Sequence, residues 1–292
     1  MPEDIRAEVF YLRKLKTLKE QRLKIINYLR QELINVPDDQ SIKEALDFLN
    51  NDRSRNIPCI PYKLVKKYDW HTINVYTDAG LHYVLHAGKR LYFPCGWSKR
   101  NIQHYYNGLL LEQDIKSPHR YEASNFCVQE GDTVADIGAA EGIFALSVIE
   151  KAKKVYLFEC ERQWLEPLRK TFAPWPDKVE TISKFVSSYT GEGIISIDDF
   201  FKDRTINFIK ADIEGAEVAL LNGARNILTE QKKLRLVLCT YHNENDAQKL
   251  QSLLTKNNFK IEFSPGYMLF FSGGENPLRR GVLRASNWET TR

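Results

Sequence analysis

The 292-residue chain has no apolar run long enough to cross a membrane and no apolar signal-peptide core at its N-terminus. No transmembrane segment is therefore expected. It has only five cysteines, Cys59, Cys95, Cys127, Cys160 and Cys239, an odd number with no CxxC pair among them. That scatter argues against a disulfide framework and against a zinc site, and reduced thiols fit a cytoplasmic location. A large excess of charge of one sign is lacking as well, with 42 Lys and Arg against 38 Asp and Glu. The formal net charge of +4 is too small to argue for a nucleic-acid partner, and none is expected. Internal repeats and low-complexity segments are absent. What remains is 43% hydrophobic and 27% charged, an ordinary soluble globular composition, long enough for one large domain or a domain with an appendage.

Residues 5–34 place Ile5, Val9, Leu12, Leu15, Leu18, Ile25, Ile26, Leu29 and Leu33 at helical spacing among Lys, Arg, Glu and Gln. The face reads as packing on its own domain or as a coiled-coil seam that would make a homo-oligomer, and its irregular repeat favours the former. Pro37 ends it, 41–49 reads as a short second helix, and 50–61 as a polar joint. Residues 73–93, INVYTDAGLHYVLHAGKRLYF, read as a three-strand antiparallel meander turned at Asp78-Ala79-Gly80 and Ala87-Gly88-Lys89.

From Thr133 apolar runs alternate with amphipathic segments. Strands are expected at 133–137, 154–159, 179–186, 206–212 and 234–241, and helices near 142–152, 161–172, 215–230 and 244–257. This is a βαβ series with a parallel sheet. KIEF (260–263), SPG (264–266) and YMLFF (267–271) then read as an antiparallel hairpin. The division expected is a helical segment over 1–60, a β-meander cap over 61–115 and an α/β domain over 116–292.

The turn after the first strand of that domain selects a cofactor. A dinucleotide fingerprint G-x-G-x-x-G counted from Gly138 would need a small residue at Ile143. The small residue is Gly142 instead. The pattern Asp136-x-Gly138-x-Ala140-x-Gly142 has the spacing used for S-adenosylmethionine, with Ala140 in place of the middle glycine. Glu159, about 20 residues past the turn, ends the second strand where an acid grips ribose hydroxyls. Asp136, Gly138, Ala139, Ala140, Gly142, Glu159 and its neighbour Cys160 are the expected cofactor contacts, with Ser187 after the third strand placed near the adenine. Phe158 and Trp164 read as core or helix packing.

IKADIEGAE (209–217) and LCTYH (238–242) narrow the match, with SPHRY (117–121), SIDDFF (196–201) and SPGYMLFF (264–271). In these stretches the chain resembles the FkbM-type methyltransferases, over residues 116–292. The resemblance implies a Rossmann-like class I methyltransferase sheet, mostly parallel with a C-terminal antiparallel hairpin. It also implies O-methylation of a saccharide or natural-product hydroxyl, in the manner of bacterial members found with surface-polysaccharide genes.

Methyl transfer is an in-line displacement, and a hydroxyl acceptor must also lose its proton to a base or a metal. Asp212 and Glu214, two apart at a strand end, and His242, ending the fifth strand, are the candidate catalytic residues. Glu217 lies one helical turn past Glu214. Asp212, Glu214 and Glu217 together admit a magnesium site, against the simpler reading that acids cap a helix N-terminus. Asp212 also falls within reach of the cofactor. Ser117 and Pro118 read as a helix start, while His119, Arg120 and Tyr121 cover the cofactor; Arg120 either pairs with its methionine carboxylate or bonds to the fold. The Lys/Arg residues between 13 and 24, with Arg279, Arg280 and Arg284, read as solvated faces or as receivers of an anionic glycan or membrane. An N- or carboxyl-methyl acceptor stays open, because no residue reads the acceptor atom. So does a methyltransferase fold that only binds, on the strength of Ala140. No N-P-P-Y-type signature for base methylation is present.

Overall fold

The computed structural model describes residues 3–51, 64, 66–270 and 276–288, with side chains described from residue 19 onward. Helix α1 spans Glu3–Asn35 and α2 spans Gln40–Asn51. Asp39 opens α2, its carboxylate accepting the N–H groups of Ser41 and Ile42 at 2.9 and 3.1 Å. The polar joint expected next lies largely outside the described residues. The meander follows as β1 (Tyr76–Asp78), β2 (Leu81–His86) and β3 (Lys89–Tyr92), antiparallel in sequence order.

Helix α3 (Lys99–Glu112) comes after it, capped by Ser98, whose hydroxyl accepts from the Asn101 N–H. The spacing rules passed over this helix because Asn107-Gly108, a turn dipeptide, sits inside it. No helix starts at Ser117. The Ser117 hydroxyl instead accepts from the His119 N–H at 3.1 Å within a turn, correcting the helix start expected there.

The α/β section runs β4 (Thr133–Ile137), α4 (Ile143–Val148), β5 (Lys154–Phe158), α5 (Arg162–Thr171), β6 (Val179–Ile182), β7 (Phe185–Val186), β8 (Ile194–Ile195) and α6 (Ile197–Phe201). It continues with β9 (Phe208–Ala211), α7 (Glu217–Asn222), α8 (Arg225–Glu230), β10 (Arg235–Cys239), α9 (Asp246–Lys256), β11 (Lys260–Phe263), β12 (Met268–Leu269), β13 (Leu278–Arg279) and β14 (Val282–Ser286). The strand expected over 179–186 is two short ones. The helix expected over 215–230 breaks at Gly223, whose N–H caps α7.

Seven strands form one sheet in the order β11-β14-β10-β9-β4-β5-β6. From β10 to β6 every pairing is parallel, while β14 is antiparallel to both β10 and β11. This is the Rossmann-like class I methyltransferase arrangement. The antiparallel partner of β11 is 282–286 and not 267–271. Met268 and Leu269 pair with Leu278 and Arg279 in a separate ribbon. The sequence missed this because β14 lies beyond the SPG turn, and a two-residue strand has no period to read.

Alternation along the strands divides the core between the two faces of the sheet. Val134, Val155, Leu157, Phe208 and Val237 face α3, α4 and the meander residues Val84 and Leu91. Ala135, Ile137, Phe158, Ile209 and Leu236 face the side that carries α6, α7, α8 and α9. A third cluster joins Ile25, Ile26 and Leu29 of α1 to α2 and to Leu269 and Leu278 of the ribbon. This part of α1 packs on its own chain.

The chain leaves β4 toward β5 and β6, then returns to build β9 and β10 on the other side. Adjacent β4 and β9 therefore flank the topological switch point, and ligands of open α/β sheets bind beyond the carboxyl ends of such strands.

Candidate functional site

Gly138 and Asp212 meet at that switch point. Gly138 has φ +72°, and a Cβ on it would lie 2.0 Å from the carbonyl oxygen of Asp212. Only glycine allows the turn to sit this close to the neighbouring strand. The Gly138 and Ala139 N–H groups donate to the Phe158 carbonyl at 3.0 and 3.1 Å, folding the turn over β5. Gly142, φ +82°, begins α4, and a side chain there would strike Phe172 and Leu168 of the α5 segment. Gly142 thus serves helix packing rather than a wall of the site.

Asp136 lies below the turn, buried, with Lys210 Nζ 3.0 Å away. The same ammonium donates to the Gly138 carbonyl at 2.7 Å. Asp136 is not on the wall of either cleft around the turn, so it supports the turn through Lys210.

The two clefts share Gly138, Ala140, Asp212 and Glu214. The first is bounded by Ile137, Phe158, Val186 and Ile213, with Glu159 and Cys160 at its edge. Glu159 accepts the Ala140 N–H at 2.8 Å on one oxygen and the Glu161 N–H at 2.7 Å on the other. Each oxygen keeps a lone pair for a further donor. A flat apolar ring and a pair of hydroxyls fit this wall, which is the chemistry of a nucleoside. Ser187 is not on it; its neighbours Lys184, Phe185 and Val186 are. Trp164 and Phe158 are buried and line it as well.

The second cleft is lined by side chains of α3, of the 119–121 turn, of the start of α4 and of the ends of β9 and β10. Asp212 is its hub. It accepts from Tyr121 Oη at 2.9 Å and Tyr241 Oη at 3.1 Å, with His242 Nε2 at 3.3 Å and His119 Nε2 at 3.6 Å. Burial opposes its charge, but both rings and Lys210 outweigh that and hold its carboxyl well below the usual range. Arg120 does not enter: its guanidinium donates to the carbonyls of Glu122 and Gln113, the fold-bonding alternative.

His242 lines neither cleft. Its Nδ1 is 3.0 Å from Glu217, which is buried and also accepts the Ile213 N–H. Burial favours the neutral ring, but Asp212 and Glu217 on opposite sides push it up to about 10. Held between these two carboxylates and lining neither cleft, His242 is placed to hold Asp212, and no open cleft wall sets its ring against an acceptor as the expected base would need. Glu214 is turned outward, its side chain 94% exposed and 3.8 Å from His242. The triad Asp212, Glu214 and Glu217 is not assembled as a metal cage. The ligand-type atoms that do converge there are those of Asp212, Glu217 and His242.

Glu141, passed over in the sequence, is buried on the cleft wall and accepts from Tyr105 Oη at 2.8 Å. Burial raises its carboxyl to about 7, against the pull of its own N–H and of Tyr105. Tyr105 and Glu112 reach the cleft from α3, the helix the spacing rules passed over. The one sequence signal for Glu141 was its place inside the glycine turn.

A family model described as the Methyltransferase FkbM domain matches residues 91–261. The chain belongs to the FkbM methyltransferase family. The match begins in β3, so it takes in α3 as well as the Rossmann-like section. Among solved structures, the FkbM methyltransferase from Methylobacillus flagellatus KT is similar at 18% identity and TM-score 0.47, over 64% of this chain and 53% of that one. The chain thus spans about half the length of that relative. The precorrin-6y C5,15-methyltransferase from Geobacter metallireducens GS-15 matches at 14% identity and TM-score 0.39, covering 57% and 85%. The ribosomal protein L11 methylase from Lactobacillus delbrueckii subsp. bulgaricus matches at 16% and 0.37, covering 54% and 69%. A comparison with curated proteins finds no match. No helix among the described residues is long and apolar enough to cross a membrane.

Proposed function

We propose that this FkbM-family methyltransferase uses S-adenosylmethionine and methylates a hydroxyl oxygen of a saccharide or natural product, in the cytoplasm. The observation that carries this reading is the shared wall of the two clefts. A nucleoside held by Glu159 in the first would set its sulfur substituents at Gly138 and Ala140, where the second cleft begins. S-Adenosylmethionine, when bound, supplies an electrophilic methyl group. The chain's own residues align the acceptor and exclude water. Glu141, poised near neutrality, is the cleft group suited to take the hydroxyl proton, while Asp212, fully hydrogen-bonded, orients Tyr121 and Tyr241 around the acceptor. His242 spans the gap between Asp212 and Glu217, so the reading holds the hydroxyl by protein groups and routes no step through magnesium.

In this reading 116–292 carries the chemistry, 61–115 adds Tyr105 and Glu112, and 1–60 stays outside the site. Calorimetry with S-adenosylmethionine and S-adenosylhomocysteine tests the donor, with Glu159→Ala as the control that loses it. Absence of binding at millimolar ligand overturns the reading. Mass spectrometry of saccharides from cells with and without the protein tests the acceptor through the gain of one methyl group on a defined sugar.

A further inference from the structure

Glu112 lines the cleft in that reading but is given no chemical task there, and its setting is costly. It is the last residue of α3, where the helix dipole disfavours negative charge. Its side chain lines the second cleft beside Tyr105, His119 and Glu141. Among the described residues its carboxylate has no hydrogen-bond or ion-pair partner. The nearby cations are committed elsewhere: Lys210 to Asp136 and the Gly138 carbonyl, His119 to Tyr241 and Asp212. Burial raises the Glu112 carboxyl, and His119 and Lys210 offset this only from a distance. An unpaired, partly desolvated carboxylate on a cleft wall destabilises the free protein unless a ligand pairs with it.

The complementary ligand group is small, positive and rich in N–H donors. Glu141 and Asp212 on the same wall disfavour a phosphate or carboxylate beside Glu112 and favour a cation. We propose that Glu112 receives a primary ammonium group. The proposal rests on the reading that the second cleft adjoins the methyl donor. The ammonium then belongs either to the methionine part of the donor or to an amino-bearing acceptor such as an amino sugar.

Calorimetry on wild type and Glu112→Gln separates these sources. The probes are S-adenosylhomocysteine, 5′-methylthioadenosine, which lacks the amino-acid part, and D-glucosamine against D-glucose over saturating S-adenosylhomocysteine. If the methionine ammonium is received, the variant weakens S-adenosylhomocysteine by about tenfold or more and leaves 5′-methylthioadenosine unchanged. If the acceptor's is received, S-adenosylhomocysteine is unchanged and a wild-type preference for glucosamine disappears. No change in either arm overturns the proposal. A wild type that binds no S-adenosylhomocysteine overturns the methyl-donor reading instead, and glucosamine against glucose on the free protein then decides Glu112. The variant's Tm should equal or exceed that of wild type, because it loses an unpaired charge at a helix C-terminus. A lowered Tm assigns Glu112 a structural role and overturns the proposal.

Discussion

The Nε2 of His242 lies 3.3 Å from Oδ1 of Asp212, and this contact ties the fifth parallel strand's end to the fourth's. With Glu217 on its other nitrogen, the ring is charged in the folded protein up to about pH 10, against an ordinary value of 6.5. A raised folded value means that the stabilisation is full below the unfolded value and is lost as pH climbs through the folded one. Wild-type stability should therefore fall between about pH 6.5 and 10. Urea unfolding at a series of pH values should show that slope in wild type and its loss in His242→Gln. Equal slopes would mean that the ring is neutral and free to act as a base after all.

Glu141 is raised as well, but here the fold disfavours the charged form. Its folded value of about 7 lies above the ordinary 4.5 of a glutamate, so the folded state binds the proton more tightly and loses stability as pH rises between the two. Glu141→Gln should then unfold at higher urea than wild type above neutrality. Tyr105→Phe removes the hydroxyl that favours the charged carboxylate, and should move the Glu141 titration upward in carbon-13 NMR of glutamate-labelled protein. A titration unmoved by Tyr105→Phe would break the pairing on which the base role depends.

The parallel core was legible because its strands are continuous apolar runs and its turns carry glycines, as at Gly138. Glu159 was legible because the distance from turn to acid reports the length of one βαβ unit. The charge of His242 was not, because it depends on Asp212 and Glu217 converging from other elements. Nor was Asp136 as a support, since its partner Lys210 is 74 residues away and apolar-run rules read that lysine as an interruption. Glu112 and Tyr105 escaped with α3. The closing strand Val282–Ser286 escaped because a turn signal closer at hand, Ser264-Pro265-Gly266, offered a shorter hairpin.

Ala140 is the irregular position of the turn, and its φ of +46° explains the preference for glycine or asparagine at such a place. Ala140→Gly should relieve the conformation at the cost of extra freedom in the unfolded chain. The net effect expected is within about 1 kcal/mol of wild type, because the two terms oppose each other. Its N–H bond to Glu159 survives the change, so S-adenosylhomocysteine affinity should stay within about threefold. Gly138→Ala, two residues back in the same turn, should instead abolish binding, because its Cβ displaces the Asp212 backbone. Retained binding in Gly138→Ala would show that the turn can move away from β9.

The Asp136–Lys210 pair supports the turn from beneath. Both side chains are almost fully buried at 3.0 Å, and the Lys210 ammonium is held above its ordinary range by Asp136 and Asp212 despite burial. Removing one partner leaves the other charged and desolvated, which costs about 3–5 kcal/mol, whereas removing both costs much less. Lys210→Met should therefore lower stability by that amount, and Lys210→Met with Asp136→Asn should recover part of it in denaturant unfolding. The double variant still lacks the ammonium that holds the Gly138 carbonyl, so its S-adenosylhomocysteine affinity should remain below wild type even where stability returns. Recovery of both together would reduce the pair to a core ion pair with no hold on the turn.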